Sequence, residues 1–333
     1  MTRSRIIAVL ATVISLAACS APVDPFTAHT TPLVIQADAH MVWAVTLAKL
    51  NGRDVIVSGS EEGAKVWDDK GNLIGSSMRS DTDWTSSVAV GRLNGRDVIV
   101  GSSRDSISVW DAKGAALGGP IQTDCDQITS AIVGKLGGRE VIAAGCDNTV
   151  RLWGANELEL GQPMTGHTSL VTSVALGQLG GRDVIVSGSA DGTVRVCDAD
   201  GRLVIDPIST GTSYYSEVQE VAIGRLGGRD VIVTGGWGGK IQVWNAEGQP
   251  VADPLWEDES EVTSLVIGKL GGKDVIVSCA HNGAVRVWDM AGLLGEVQAP
   301  TPVYAVALGK LGGKDVIVAG SGTGTVTVFY SLG

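Results

Sequence analysis

A chain of 333 residues with a formal net charge of −11 repels phosphate backbones, which argues against a nucleic-acid partner. Its 44% hydrophobic content excludes wholesale disorder, and its 46 glycines, about twice the usual share, call for many tight turns. At the N-terminus Arg3 and Arg5 precede the uncharged run Ile6–Ala18, a cationic head and an apolar stretch too short to span a bilayer comfortably.

That run ends in Leu16-Ala17-Ala18-Cys19, which resembles a bacterial lipobox. Small residues fit the processing peptidase, and the Cys19 thiol takes the diacylglyceryl group. The competing reading is an ordinary cleavable signal peptide, or a membrane anchor, with Cys19 incidental. The expected layout is a signal peptide over 1–18, a lipidated tether over 19–31 and a single domain over 32–333. The resemblance implies an exported, extracytoplasmic protein held to the cell membrane or envelope by lipid on Cys19. Ser20 after the cysteine would favour the outer membrane of a two-membrane cell. The tether, with Pro22 and Pro25 and no apolar period, reaches at most about 40 Å when extended.

Beyond the tether one pattern dominates. The string Gly-Arg-Asp-Val-Ile-Val and its variants begins at Gly52, Gly95, Gly138, Gly181, Gly228, Gly272 and Gly313, a period of 41–47 residues. Asn-Gly or Gly-Gly opens each copy, the chemistry of a two-residue hairpin turn. Each copy reads as four short strands. In the fourth these are Ser169–Leu176, Asp183–Ser187, Thr193–Val196 and an outer strand near Leu203–Ile208, with turns at 179–181, 190–192 and 200–201.

The period, with Trp67-Asp68, Trp110-Asp111 and Trp288-Asp289 closing three third strands, resembles the WD-repeat family over roughly residues 32–331. The dipeptide relaxes to Trp153-Gly154, Trp244-Asn245, Cys197-Asp198 and Phe329-Tyr330, and Gly-His survives only at Gly166-His167, with Ala39-His40 as a variant. The resemblance implies an all-β, seven-bladed propeller of four-stranded antiparallel blades. Blade 7 runs out of chain before an outer strand, so Pro32-Leu33-Val34-Ile35-Gln36 should complete it and close the ring. Other outer strands likewise open on proline, at Pro120, Pro163, Pro207 and Pro254, where a missing N–H costs little.

In that family a His, a Ser or Thr, a turn Asp and the Trp form one hydrogen-bonded set. No blade here holds all four. His167, Ser187 or Ser189, and Asp191 should serve blade 4; His40, Ser58 and Trp67 should serve blade 1. His40, His167 and Asp191 are therefore expected to be structural. Of the cysteines, Cys125 falls beside the Gly-His position and Cys146 on Ser189 when laid on blade 4. That implies a disulfide between Cys125 and Cys146, the alternative being two free thiols. Cys197 and Cys279 read as small buried residues.

The sequence has no G-x-S-x-G, HExxH or P-loop string, and its four histidines show no metal spacing. Asp198-Ala199-Asp200-Gly201 reads as a hairpin turn rather than a calcium loop. Glu61-Glu62, Asp68-Asp69 and the acids of 257–261 read as solvated turns and connections. No catalytic set, metal or cofactor is expected, and the chain is taken as a monomer. The expected function is a membrane-tethered scaffold binding a protein or peptide through the rim face. The alternative is an enzyme or small-molecule binder in the central funnel, for which Glu217, Glu220 and Glu261 offer the acids; a purely structural envelope protein is a third reading.

Family contact positions, transferred by counting back from the Arg or Lys of each repeat, fall on Trp43 and Tyr304 at ten residues. Met41, Trp84, Glu217 and Glu261 follow at twelve, and Glu61, Arg104, Trp237 and His281 just before the second turn. Blades 7, 1 and 2 adjoin in a closed ring, so Tyr304, Met41, Trp43 and Trp84 should form one arc with Arg104 as polar neighbour. The competing expectation is that these aromatics fold inward between blades.

Overall fold

The computed structural model describes residues 31–79, 84–211, 216–256, 260–299 and 302–331. The signal and tether region, Cys19 included, lies outside the described residues. Seven antiparallel sheets follow one another along the chain and form a seven-bladed propeller. Blade 1 shows the plan: Val42–Leu50 innermost, then Arg53–Ser60, Gly63–Trp67 and, outermost, Leu73–Met78. We call the end with the hairpins after the innermost strands the lower face, and the opposite end the upper face.

The turn chemistry explains the lower hairpins. Both central residues of every first turn have positive φ, as at Asn51 (49°) and Gly52 (81°), or Gly180 (57°) and Gly181 (77°), the geometry that makes a two-residue hairpin twist with its strands. The Asp of the Trp-Asp dipeptide builds the next lower turn. Asp68 Oδ1 accepts from the amides of Lys70 and Asn72, and Asp111, Asp198 and Asn245 repeat that pair of bonds.

The ring is closed by the N-terminal strand, Leu33–Gln36, which pairs antiparallel with Thr325–Tyr330; Leu33 faces Val328 and Gln36 faces Thr325. Outer strands are long in blades 1 and 6, at Leu73–Met78 and Gly292–Gln298, and short in blades 2 to 5. Val204 bonds Val196 and Ile208 pairs with Val194, so the outer segment spends four residues against two and bulges between them. This leaves Ile208–Ser209 as a two-residue strand in blade 4. In blade 3 the same bulge reduces the outer segment to isolated bridges, Val150 to Met164 and Trp153 to Glu159, and that sheet has three strands.

The core lies between blades. Each second strand is buried on both faces beyond its first two residues, which is why it reads Val-Ile-Val instead of alternating. Seven hydrophobic clusters fill the interfaces; one joins Ile35, Val42 and Trp67 to Val316, Val318 and Val328 across the ring closure. Gly188 permits this approach: a Cβ there would sit 2.5 Å from Val218 of the next blade.

A second device locks the lower face. The acid of each Gly-Arg-Asp string accepts a backbone N–H from the first turn of the preceding blade. The bonds run Asn51 to Asp97, Gly95 to Glu140, Gly138 to Asp183, Gly180 to Asp230, Gly228 to Asp274, Gly271 to Asp315 and Gly313 to Asp54, all at 3.0–3.3 Å. The other carboxylate oxygen often meets a cation from its own blade, with Lys49, Lys269 and Lys310 at 2.5–2.6 Å from Asp54, Asp274 and Asp315.

The family's polar set is divided among blades. In blade 4 His167 sits between Ser187 Oγ (2.9 Å) and Asp191 Oδ2 (3.1 Å), with Cys197 in place of the Trp. Burial, with the nearby Arg195 charge, holds the His167 imidazole below its ordinary value despite Asp191. In blades 1, 5 and 6 the indole N–H of Trp67, Trp244 or Trp288 donates directly to Ser58, Thr234 or Ser278. His40 does not join Ser58, contrary to the sequence expectation. Its side chain is 60% exposed and 3.6 Å from Glu61. Buried Asp38 takes the connecting role, its two carboxylate oxygens accepting from the amides of His40 and Glu62. A charged acceptor bridging two backbone donors satisfies that corner without the imidazole.

Cys125 and Cys146 form a disulfide, with Cα atoms 5.4 Å apart. It ties the connection entering blade 3 to the end of its second strand, Arg139–Cys146. Cys197 and Cys279 are free and buried.

Candidate functional site

The innermost strands begin at the upper face, and their first residues stand around the channel mouth. There a cavity of about 550 Å³ is lined by Trp43, Glu61, Trp84, Ser86, Gln219, Glu261, Thr263, His281 and Tyr304. Trp43 and Tyr304, from adjoining blades 1 and 7, meet with ring centroids 5.2 Å apart at 54°, and His281 stands edge-on to Tyr304 at the same distance. Trp43 is 36% exposed and Trp84 43% exposed, so neither indole is folded away between blades.

The other transferred positions go elsewhere. Met41 is half-buried and does not line the cavity. Arg104 is exposed, its Nε donates to the Asp126 carbonyl at 3.4 Å, and it does not line the cavity. Trp237 sits in the single 3-10 turn Trp237–Gly239 and lines a small crevice with Glu217 and Lys240. The arc is therefore Tyr304, Trp43 and Trp84, extended by His281 instead of Met41 and Arg104.

Two acids that read as solvated turn residues belong to this mouth. Glu61 precedes the turn into the third strand of blade 1, and Glu261 precedes the first strand of blade 6, Val262–Leu270; both line the cavity. Glu261 Oε2 lies 3.9 Å from His281 Nδ1. Burial pushes the Glu261 carboxyl up, the charge of Glu217 adds to this, and His281 opposes it. The sequence signal for these acids was available: Glu61 and Glu261 occupy the same transferred positions as the aromatics.

Below the mouth the channel continues as a space of about 420 Å³ lined by first-strand residues, including Ser87, Ser130, Ser264 and Glu220. The Ser173 hydroxyl donates to Glu220, and burial pushes that carboxyl up to about 7. Among the described residues lining this space, Glu220 and Tyr304 are the titratable ones, so the acids do not converge here as a paired catalytic set. Among the described residues there is no group of His, Cys, Asp and Glu with metal-binding geometry, and no helix is long and apolar enough to cross a membrane.

Residues 159–198 match the family model for the WD domain, G-beta repeat. The matched segment is the third-to-fourth blade passage that carries Gly166-His167, Asp191 and the Cys197-Asp198 ending, and its neighbours repeat its architecture around the ring. The chain carries a WD repeat within a seven-bladed propeller. Its fold is similar to the crystal structure of the computationally designed Ika8 protein, at 23% identity and a TM-score of 0.61, covering 90% of this chain and 100% of that one. No curated protein matches it significantly. WD-repeat propellers commonly mediate contacts between proteins.

Proposed function

We propose that this WD-repeat propeller is an exported, lipid-anchored binding platform that holds a protein or peptide partner at its upper mouth. The observation that carries the reading is the solvent-facing cluster of Trp43, Trp84 and Tyr304, drawn from three adjoining blades onto one cavity. Large aromatics kept partly wet on a rigid rim are the residue types that dominate binding energy at interfaces. Two further features fit export and tethering. The Cys125–Cys146 disulfide suits an oxidising compartment. The strand Leu33–Gln36 runs from the lower end of blade 7 to the upper, so the described chain enters the propeller at the lower face, opposite the cavity. A lipid on Cys19 would thus leave the aromatic mouth pointing away from the membrane.

The test is affinity capture from the native envelope with the intact protein and with a Trp43→Ala, Trp84→Ala, Tyr304→Ala variant. The variant should keep the parent's melting behaviour and lose the captured partner. A folded variant that still captures the same partner would move the binding face elsewhere.

A further inference from the structure

The upper mouth is aromatic and acidic together, and nothing basic balances it. Glu61 and Glu261 line the cavity, and none of the nine lining residues is lysine or arginine. The groups that face the two carboxylates are imidazoles, His40 at 3.6 Å and His281 at 3.9 Å, which carry charge only when protonated. Glu217 adds a second negative charge beside Glu261. The mouth therefore sets carboxylates, with no Lys or Arg among its lining residues, beside the exposed indoles of Trp43 and Trp84 and the half-buried phenol of Tyr304. The face of an aromatic ring carries the negative side of its quadrupole and attracts a cation.

The wider charge distribution points the same way. Each of the seven lower hairpins carries an Arg or Lys directly after its second turn residue, from Arg53 to Lys314, and six carry another four residues earlier (Lys49, Arg92, Lys135, Arg225, Lys269 and Lys310), against the one acid that follows in each. A chain of net charge −11 that concentrates cations around its lower mouth has its acid excess on the remaining surface, the upper mouth included. Such a field steers a basic partner toward the upper opening and away from the lower one.

We propose that the upper mouth takes the guanidinium or ammonium end of an Arg or Lys side chain on an extended segment of the partner, between the rings of Trp43, Trp84 and Tyr304 and the carboxylates of Glu61 and Glu261. This deepens the binding reading above and rests on it. The occupant is a side chain on a polypeptide because the cavity, at about 550 Å³, is far larger than one cationic group and has room for flanking backbone. Its two acids also stand on different blades, 1 and 6, so the favourable charge extends across the opening. Trp43 braced on Tyr304, and Tyr304 on His281, fixes the rings before binding.

The experiment uses the full chain in detergent and acetylated, amidated Gly-Ser-Xaa-Ser-Gly peptides with Arg, Lys, Gln or Glu at the centre, followed by calorimetry and tryptophan fluorescence. Tetramethylammonium serves as the free small cation. The Arg and Lys peptides should bind at least about tenfold more tightly than the Gln peptide, and more tightly than tetramethylammonium, with affinity falling as salt is raised. A Glu61→Gln, Glu261→Gln variant should lose about tenfold for the Arg peptide and nothing for the Gln peptide. Equal binding of the Arg and Gln peptides would overturn the proposal, as would no Arg-peptide binding at millimolar concentration. Tighter binding of tetramethylammonium would reassign the mouth to a small free cation and overturn the side-chain assignment. If the double variant fails to fold, the Arg-to-Gln ratio of the parent and its salt dependence decide alone. Partner capture lost in the triple aromatic variant but kept in the double Glu variant would sink this inference and leave the binding platform standing. Capture kept in both would sink the two together.

Discussion

The backbone N–H of Gly313 donates to Asp54 Oδ2 at 3.2 Å, joining the last blade to the first across 259 residues of chain. It is the seventh member of a ring of equivalent bonds, and Lys49 holds the other oxygen of the same carboxylate. Asp54→Ala should lower stability by about 1–2 kcal/mol, because one donor loses its charged acceptor and one lysine its partner. Asp54→Asn, which keeps an acceptor oxygen, should cost less. Thermal melting checks both, and an Asp54→Ala protein that melts like the parent would mean that hydrophobic packing alone closes the ring. The pH sign follows from the same contacts. Lys49, Lys269 and Lys310 hold Asp54, Asp274 and Asp315 below the ordinary carboxylate value of 3.8. The stabilisation is present above that value and is lost as pH falls through the lowered folded values.

Deleting residues 32–36 removes the outer strand of blade 7 and bares the edge of Thr325–Tyr330. It also takes Ile35 out of the cluster between blades 7 and 1. A clear loss of melting temperature and a concentration-dependent tendency to aggregate are expected. Light scattering and melting of the deletion variant measure this; parental values in both would show that the seam does not depend on the N-terminal strand.

Thiol counting on denatured, unreduced mature protein should find two free domain cysteines, Cys197 and Cys279. Reduction, or Cys125→Ser with Cys146→Ser, should cost about 3 kcal/mol for a loop of this length. Four free domain thiols in the unreduced protein would rule the bridge out.

Glu220 gives a pH effect of opposite sign to the aspartates. Burial raises its folded value from 4.5 to about 7, against the Ser173 hydroxyl and the Val221 amide, which favour the ionised form. Between those two values the folded protein keeps a proton that the unfolded chain has lost, so stability falls as pH rises through the window. Glu220→Gln should therefore melt a few degrees above the parent at pH 8 and level with it at pH 4. Identical melting of the two proteins at pH 8 would show that the channel carboxylate ionises without cost.

Replacing Cys19 by Ser should abolish lipid labelling and either release the protein from membranes or stall its processing. The check is fractionation of cells with metabolic labelling by a palmitate analogue. Normal mature size and unchanged membrane association in the variant would exclude lipid at Cys19.

The seven copies of Gly-Arg-Asp-Val-Ile-Val determined the blade count, the hairpin positions and the doubly buried second strands, because turn geometry and burial are written locally in glycine and Val-Ile runs. The closing role of Leu33–Gln36, which pairs with Thr325–Tyr330, was equally legible, since Pro32-Leu33 repeats the proline and apolar opening of the other outer strands. Contacts between blades were not. The same Gly-Arg-Asp string gave no sign that its acid reaches back to the previous turn, because that partner lies a full repeat away in sequence and beside it only in the ring. His40 sat where the family's imidazole belongs, yet Asp38, two residues earlier, satisfies that corner, a choice set by which side chain points inward after the connection bends. The aromatics Trp43, Trp84 and Tyr304 could be placed on one rim by counting. Counting also put Glu61 and Glu261 among those positions; what only the closed ring decided is that they share one cavity with the aromatics while Met41 and Arg104 do not, because residues 200 positions apart meet when all the first strands converge on one axis.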